Sequence, residues 1–309
     1  MTLEDIELPP PGPDQVRIRH HAIGVNFLDV YFRSGLYPSP SLPFTPGAEG
    51  AGDVVAIGKG VDEFKIGDRV AYVATPGSYA EERNVDAKLV LKLPKAISYE
   101  TGAAMLLKGL TAQYLLRQTY RVKPGDTILV HAAAGGVGLL LCQWGYALRA
   151  NVIATAGSAE KLKLAKKAGA KHVINYREED FAKRVAEITK GEKCHAVYDG
   201  VGKATFAGSL DCLRPFGVLA NFGSASGPVE NFNVAQLGQK GSLFLARPTL
   251  FTFMADRHLL LRMARELFRV VQSDQVRIRV SKRFPLSQAA EAHRALEARE
   301  TTASILLEP

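Results

Sequence analysis

The residues Val130-His131-Ala132-Ala133-Ala134-Gly135-Gly136-Val137-Gly138 stand between a strand-like run, Thr127-Ile128-Leu129-Val130, and a helix-like run from Leu139 to Leu148. A tight strand-to-helix turn needs residues with little side chain. Ala133, Gly135 and Gly138 fill the three small-residue positions of a G-x-G-x-x-G pattern, with Ala in the first. Backbone at Ala134-Gly135-Gly136-Val137 can then approach a pyrophosphate whose charge is met by the helix N-terminus. A Gly-rich turn in any βα unit would share these glycines; the flanking strand and helix favour a nicotinamide dinucleotide.

The choice between NAD and NADP is read about twenty residues later, at the next strand tip, where an Asp or Glu would bind the ribose 2′-hydroxyl. Here Asn151-Val152-Ile153-Ala154-Thr155 is followed by Ala156-Gly157-Ser158-Ala159-Glu160-Lys161. No carboxylate stands at the strand tip, Ser158 can donate a hydrogen bond, and Lys161 brings a positive charge within one turn. NADPH is therefore expected over NADH. Lys161 also fits a solvated helix face shared with Lys163, Lys166 and Lys167, with Lys171 nearby.

These residues need a scaffold of alternating strands and helices, and the chain supplies one from about residue 110. Strands are expected at Val152 to Thr155, His172 to Asn175, His195 to Asp199 and Gly217 to Phe222. Helices at Glu160 to Ala168, Asp180 to Thr189 and Thr205 to Leu213 separate them. That alternation predicts a parallel sheet with crossover helices. The first hundred residues differ: Gln15 to Ile23, Gly52 to Ile57, Asp68 to Val73 and Ser78 to Val85 read as short strands between Gly- and Pro-containing turns, as in a mostly antiparallel barrel. A long helix (Asp256 to Gln272), a strand (Val276 to Phe284), a helix (Ser287 to Glu297) and a final strand (Ala303 to Leu307) are expected to return to that first domain.

A chain of 309 residues exceeds the usual single-domain size, and a hydrophobic fraction of 47% suffices for substantial cores. The three cysteines, Cys142, Cys194 and Cys212, form no C-x-x-C pair, and the N-terminus shows no secretory pattern. A soluble protein of the reducing cytoplasm is expected. The net charge of +8 and the pI near 9.3 could mark a nucleic-acid partner. The basic residues, such as Arg257, Arg262, Arg265 and Arg269, instead fall on unrelated helices without interleaved aromatics.

Taken together, Asn26-Phe27-Leu28-Asp29-Val30-Tyr31-Phe32-Arg33-Ser34-Gly35-Leu36-Tyr37-Pro38, Lys108-Gly109-Leu110-Thr111, His131 to Gly138, and Gln239-Lys240-Gly241-Ser242-Leu243 resemble the NADPH-dependent quinone oxidoreductases. These form the zeta-crystallin-like branch of the medium-chain dehydrogenase/reductase superfamily. The resemblance implies an α/β protein with a GroES-like β-barrel catalytic domain in two segments, 1–110 and 249–309. A Rossmann NADP-binding domain, 111–248, with a doubly wound parallel sheet, lies between them in sequence, and the cofactor occupies the cleft. It implies that Asn26, Asp29 and Tyr31 line the site near the nicotinamide and the acceptor, and that Lys108 and Thr111 open a connecting helix beneath it. Lys108 could equally be a structural ion-pair partner. It further assigns Lys161, Tyr176 and Arg299 to the 2′-phosphate ribose, and Phe222-Gly223-Ser224 to the nicotinamide ribose. A homodimer through the edge strand Ser242-Leu243-Phe244-Leu245-Ala246 is expected. The first strand usual in such proteins is not found ahead of Leu3-Glu4-Asp5-Ile6-Glu7-Leu8-Pro9, which leaves the edge of the catalytic domain open.

Zinc is not expected. Alcohol dehydrogenases of this superfamily hold catalytic zinc with an early Cys and a Gly-His-Glu turn; here the turn reads Gly47-Ala48-Glu49 and residues 1–141 contain no cysteine. His20, His21, His172, His195, His258 and His293 show no ligand spacing, and His131 is expected to pack or hydrogen-bond within the βα turn. Without a Lewis acid, the expected chemistry is reduction of a conjugated acceptor, a quinone or an enone. Tyr31 would shape the acceptor site without being an obligatory proton donor. The rival readings are an alkenal or enoyl-thioester reductase, and a crystallin-like or RNA-binding protein without activity.

Overall fold

A computed structural model describes residues 1–38, 42–298 and 301–309. The chain forms two compact units: Met1–Leu110 with Met254–Gln272 and Ile278–Pro309, and Thr111–Phe253 with Ser273–Arg277. From the N-terminus come β1 (Gln15–Val25), α1 (Phe27–Arg33), β2 (Glu49–Ile57), β3 (Arg69–Val73), β4 (Glu82–Asp86), β5 (Val90–Lys92) and α2 (Tyr99–Tyr114). There follow β6 (Thr127–Val130), α3 (Gly136–Ala147), β7 (Asn151–Ala156), α4 (Ala159–Lys167), β8 (His172–Asn175), α5 (Phe181–Ile188), β9 (Cys194–Asp199), α6 (Phe206–Asp211), β10 (Leu213–Asn221), α7 (Ala235–Gln239), β11 (Phe244–Ala246) and α8 (Leu250–Met254). The chain closes with α9 (Arg257–Gln272), β12 (Val280–Pro285), α10 (Ala289–Glu297) and β13 (Ser304–Glu308).

The first unit holds a seven-stranded sheet, β12-β13-β1-β2-β3-β5, with β4 also paired to β1. Only β12 and β13 run parallel; the other pairings are antiparallel. Along β1, Val16, Ile18 and His20 point inward while Arg19 and His21 point outward, the period-2 pattern of a half-buried strand. In α9 the buried residues Leu260, Met263, Ala264, Leu267 and Phe268 recur at helical spacing, while Arg262, Arg265 and Arg269 face water. These three arginines are therefore solvated helix surface. Residues 1–12 form no strand, and Leu8 and Pro9 are held through their carbonyls by Arg17 and Asn84.

The second unit holds a six-stranded sheet in the order β11-β10-β9-β6-β7-β8, all parallel. Renumbered from β6, this is the doubly wound order whose strand direction of progression reverses between β6 and β9. Its core packs Leu129, Ile153, Ile174, Val185, Val197, Leu210 and Leu219.

Several expected elements differ. Ser78–Glu81 is not strand: Ser78 instead receives hydrogen bonds from Tyr72 Oη and Arg83 Nη1. The strand expected from Val276 begins at Val280, because Gln143 takes the Arg277 N–H at 2.8 Å and donates to its carbonyl at 3.2 Å, so a side chain replaces a strand partner. Lys108 and Thr111 do not open a helix. That helix, α2, starts at Tyr99, where Ser98 Oγ accepts the Thr101 N–H, and both residues lie toward its end.

Candidate functional site

The turn between β6 and α3 lies at the carboxyl end of the parallel sheet, where its order reverses. Gly138 is required there by packing: a Cβ would stand 2.4 Å from the Ala132 carbonyl oxygen and 2.7 Å from Ala133 Cα. Gly135 is not so confined, since its Cβ would meet only that oxygen, at 3.2 Å. It is the extended N-cap residue of α3 and has no side chain to cap the first turn. The open ground at Gly135–Val137 therefore fits a group bearing negative charge. Asn221, at the end of β10, has its side-chain nitrogen buried without a hydrogen-bond partner among the described residues. A second orphan donor thus stands at the same end of the sheet.

His131 is buried away from this opening, with Nδ1 2.9 Å from Thr155 Oγ1 and Nε2 3.0 Å from Ser209 Oγ. Burial lowers its pKa, against the neighbouring Asp199. Asp199 is itself satisfied by the N–H groups of Val201 and Gly202 and the hydroxyls of Thr205 and Ser209.

At the tip of β7, Ser158 caps α4 by accepting the Lys161 N–H, which leaves the Ser158 hydroxyl proton for another acceptor. Tyr176 lies over Gly157: a Cβ there would be 2.6 Å from Tyr176 Oη and 3.1 Å from Arg177 Nε. Gly157, Ser158 and Tyr176 are brought together, with Lys161 in the same first turn of α4. Arg177 adds a cation not expected from the sequence; its signal was a basic residue two positions past the end of the third parallel strand. Phe222 and Gly223 pack on Gly200, where a Gly223 Cβ would lie 2.6 Å from the Gly200 oxygen, and Ser224 follows them. Arg299 lies outside the described residues.

In the first unit, Asn26, Asp29, Glu49 and Lys108 are all buried. Glu49 organises them: Oε1 accepts from Asn26 Nδ2 at 2.8 Å and from Lys108 Nζ at 2.9 Å, and Oε2 accepts the Leu107 N–H at 2.8 Å. Gly24 makes this possible, for a Cβ on it would fall 2.3 Å from Glu49 Oε1. Lys108 therefore has the structural ion-pair partner that the sequence left open. Asp29 Oδ2 accepts the Asn26 N–H at 2.8 Å and the Tyr79 hydroxyl at 3.0 Å. Burial pushes the Asp29 carboxyl up to about 7, against the pull of those two donors. Tyr31 is half-buried on the next turn of α1, its ring 5.2 Å from Tyr37 and 6.3 Å from Phe27. Thr111 is buried in the second unit.

Residues 12–95 match the alcohol dehydrogenase GroES-like domain family, and residues 136–253 match the zinc-binding dehydrogenase family. A quinone oxidoreductase of Pseudomonas aeruginosa is 52% identical over 300 residues, 97% of this chain and 92% of that protein. The crystal structure of Escherichia coli quinone oxidoreductase complexed with NADPH is 46% identical, covers 99% of this chain and 95% of its own, and superposes with a TM-score of 0.97. A 2-haloacrylate reductase of a Burkholderia species is 44% identical over 99% of this chain and 94% of its own length. The chain belongs to the quinone oxidoreductases of the medium-chain dehydrogenase/reductase superfamily. This family member has the GroES-like and Rossmann parts expected of it. Its residues do not fit the zinc named in one family description: Ala48 stands in the Gly-Ala-Glu turn, Glu49 is committed to Asn26 and Lys108, and no cysteine precedes Cys142. Among the described residues no group of three or more His, Cys, Asp or Glu could hold a metal ion. Nor is any helix among them long and apolar enough to cross a membrane.

Proposed function

We propose that this protein is a zinc-independent NADPH:quinone oxidoreductase. The observation that carries the reading is its full-length likeness, near half identity, to proteins named quinone oxidoreductase. NADPH, when bound, supplies a hydride equivalent; the protein's residues hold and orient the reactants. The first N–H groups of α3, at Gly136 and Val137, would receive the pyrophosphate, with Ala134 and Gly135 leaving room for it to approach; the Gly135 N–H itself is donated to the Ala132 carbonyl at 2.9 Å. Ser158, Lys161 and Tyr176 take the 2′-phosphate ribose beside Gly157, with Arg177 as a further cation and Arg299 assigned by resemblance. Phe222, Gly223 and Ser224 border the nicotinamide ribose, and Asn221 offers its unpaired donor there. Asn26, held by Glu49, is assigned to the nicotinamide end by resemblance, as are Lys108 and Thr111. Tyr31 gives the acceptor an aromatic surface, and the hydroquinone anion collects its proton from water.

The domain bounds implied by the resemblance, 1–110 with 249–309 for the catalytic domain and 111–248 for the NADP-binding domain, follow the two compact units except that residues 249–253 and Ser273–Arg277 group with the second unit. Phe244 and Leu245, exposed on the edge strand β11, support a homodimer formed through that edge. Three buried free cysteines suit a cytoplasmic protein. The Burkholderia relative's name favours one second reading, reduction of an activated alkene at the same site.

Cofactor fluorescence titration, followed by rates with 1,4-benzoquinone, an alkenal, a crotonyl thioester and 2-chloroacrylate, tests both readings. NADPH should bind at least about tenfold more tightly than NADH, since each charge-assisted hydrogen bond to phosphate contributes roughly 1.5–3 kcal/mol. Lys161→Ala should erode that preference. Equal affinities, or an alkene turned over faster than the quinone, would overturn the primary assignment. Light scattering giving the 33.5 kDa protomer mass at micromolar concentration would overturn the dimer.

A further inference from the structure

A hydrogen-bond chain of fixed direction runs through the first unit from α10 to the N-terminus of α1. At its outer end Arg33 Nη2 donates to Glu297 at 2.6 Å, and Nη1 lies 3.1 Å from His293 Nδ1. A guanidinium only donates. Nδ1 must therefore accept, so the imidazole carries its proton on Nε2 and donates it to Tyr79 Oη, 2.9 Å away. The Tyr79 proton then goes to Asp29 Oδ2, which also accepts the Asn26 N–H. His293, Tyr79 and Asp29 are all buried. Gly47, at φ +91°, leaves the space for Tyr79: a Cβ there would be 2.2 Å from its Cδ1. Because Arg33 does not release a proton, the chain is no proton wire; it can only orient and stabilise.

Resting on the quinone-reductase assignment, we propose that Tyr79 and His293 are positioning residues: through Asp29 they fix the N-cap of α1, from which Asn26 meets the cofactor and Tyr31 the acceptor. Glu49 and Lys108 also face Asp29, the first raising its pKa and the second lowering it. Burial, with Arg33 next, pushes His293 down to about 4, against Glu297, and keeps it neutral as the chain requires. Removing the Tyr79 hydroxyl takes a donor from the carboxylate and raises the pH at which Asp29 ionises.

Tyr79→Phe keeps the ring and removes the hydroxyl. The acidic limb of kcat/KM should move up by about one pH unit, and KM for NADPH at pH 7 should rise about fivefold, with kcat at pH 9 within about twofold of wild type. His293→Leu should do the same, whereas His293→Gln, whose amide can accept from Arg33 and donate to Tyr79, should restore the wild-type limb. The same midpoint is read without activity from the Asn26 backbone amide, by pH titration of selectively ¹⁵N-asparagine-labelled, ligand-free protein. A merely structural role would lower the melting temperature and leave limb and midpoint unmoved, overturning the proposal. So would a shifted midpoint with unchanged kinetics. If wild type reduces no quinone, the functional assignment fails, and the amide midpoint in the His293 pair still decides whether the chain sets Asp29.

Discussion

At Asn26, Asp29, Glu49 and Lys108 the first unit buries polar and charged side chains against one another, whereas at Gly135–Val137 and Gly157–Ser158 the second unit offers backbone, small residues and a helix end. A site of buried charges is held by mutual satisfaction, so losing a member strands its partners. A site of backbone donors is held by the sheet and helix that carry it, so a change there alters what can approach. Damage to the first should therefore register as instability, and damage to the second as lost affinity.

The largest effect is expected at Glu49. Glu49→Ala leaves Lys108 and Asn26 buried without their acceptor and should cost roughly 3–5 kcal/mol in denaturant unfolding. A loss below about 1 kcal/mol would show that Lys108 finds another partner and that the network is not the framework of this site.

The glycines of the second unit separate packing from ligand approach. Gly138→Ala drives a methyl into the Ala132 carbonyl and should lower stability by about 1–3 kcal/mol and weaken NADPH together. Gly135→Ala should leave stability within about 0.5 kcal/mol while NADPH affinity falls. Equal NADPH affinity in the Gly135 variant would mean that the backbone there does not face the cofactor.

Asp29 gives the first unit a pH signature the second lacks. Its pKa is raised from 3.8 to about 7, so its contribution to stability is fully present below pH 3.8 and lost as pH rises through 7. His20 and His293, both pushed down to about 4 by burial, contribute stability present above pH 6.5 and lost as pH falls through 4. Denaturant midpoints should fall on both sides of about pH 6. Asp29→Asn should flatten the alkaline side, a gain on the order of 2–3 kcal/mol by pH 8. An unchanged alkaline slope would show that Asp29 ionises in its ordinary range.

The smallest effect is expected at Tyr31. Tyr31→Phe should lower kcat with 1,4-benzoquinone by less than about tenfold, short of the 10²–10⁴ a needed general acid provides. A thousandfold loss with unchanged NADPH affinity would make the hydroxyl catalytic.

The same contrast explains what was legible in the sequence. The turn from β6 to α3 is local: Ala133, Gly135 and Gly138 are spaced along one strand-turn-helix unit, and its residues announce both geometry and ligand. Ser158 and Lys161 are equally local. Glu49 was read only for the absence of zinc, because its partners stand 23 and 59 residues away and no short-range pattern joins them. Tyr79 and His293 are 214 residues apart, and only the return of α10 to the first unit brings them together. The late start of β12 was hidden for a related reason: a distant Gln143 side chain holds Arg277 where a strand was expected.

Consumption of NADPH against 1,4-benzoquinone by chelator-treated protein tests the central assignment most directly. The account predicts one hydroquinone formed per NADPH, undiminished by the chelator and much slower with NADH. No turnover above the uncatalysed rate, or activity lost with the chelator and restored by zinc, would contradict it.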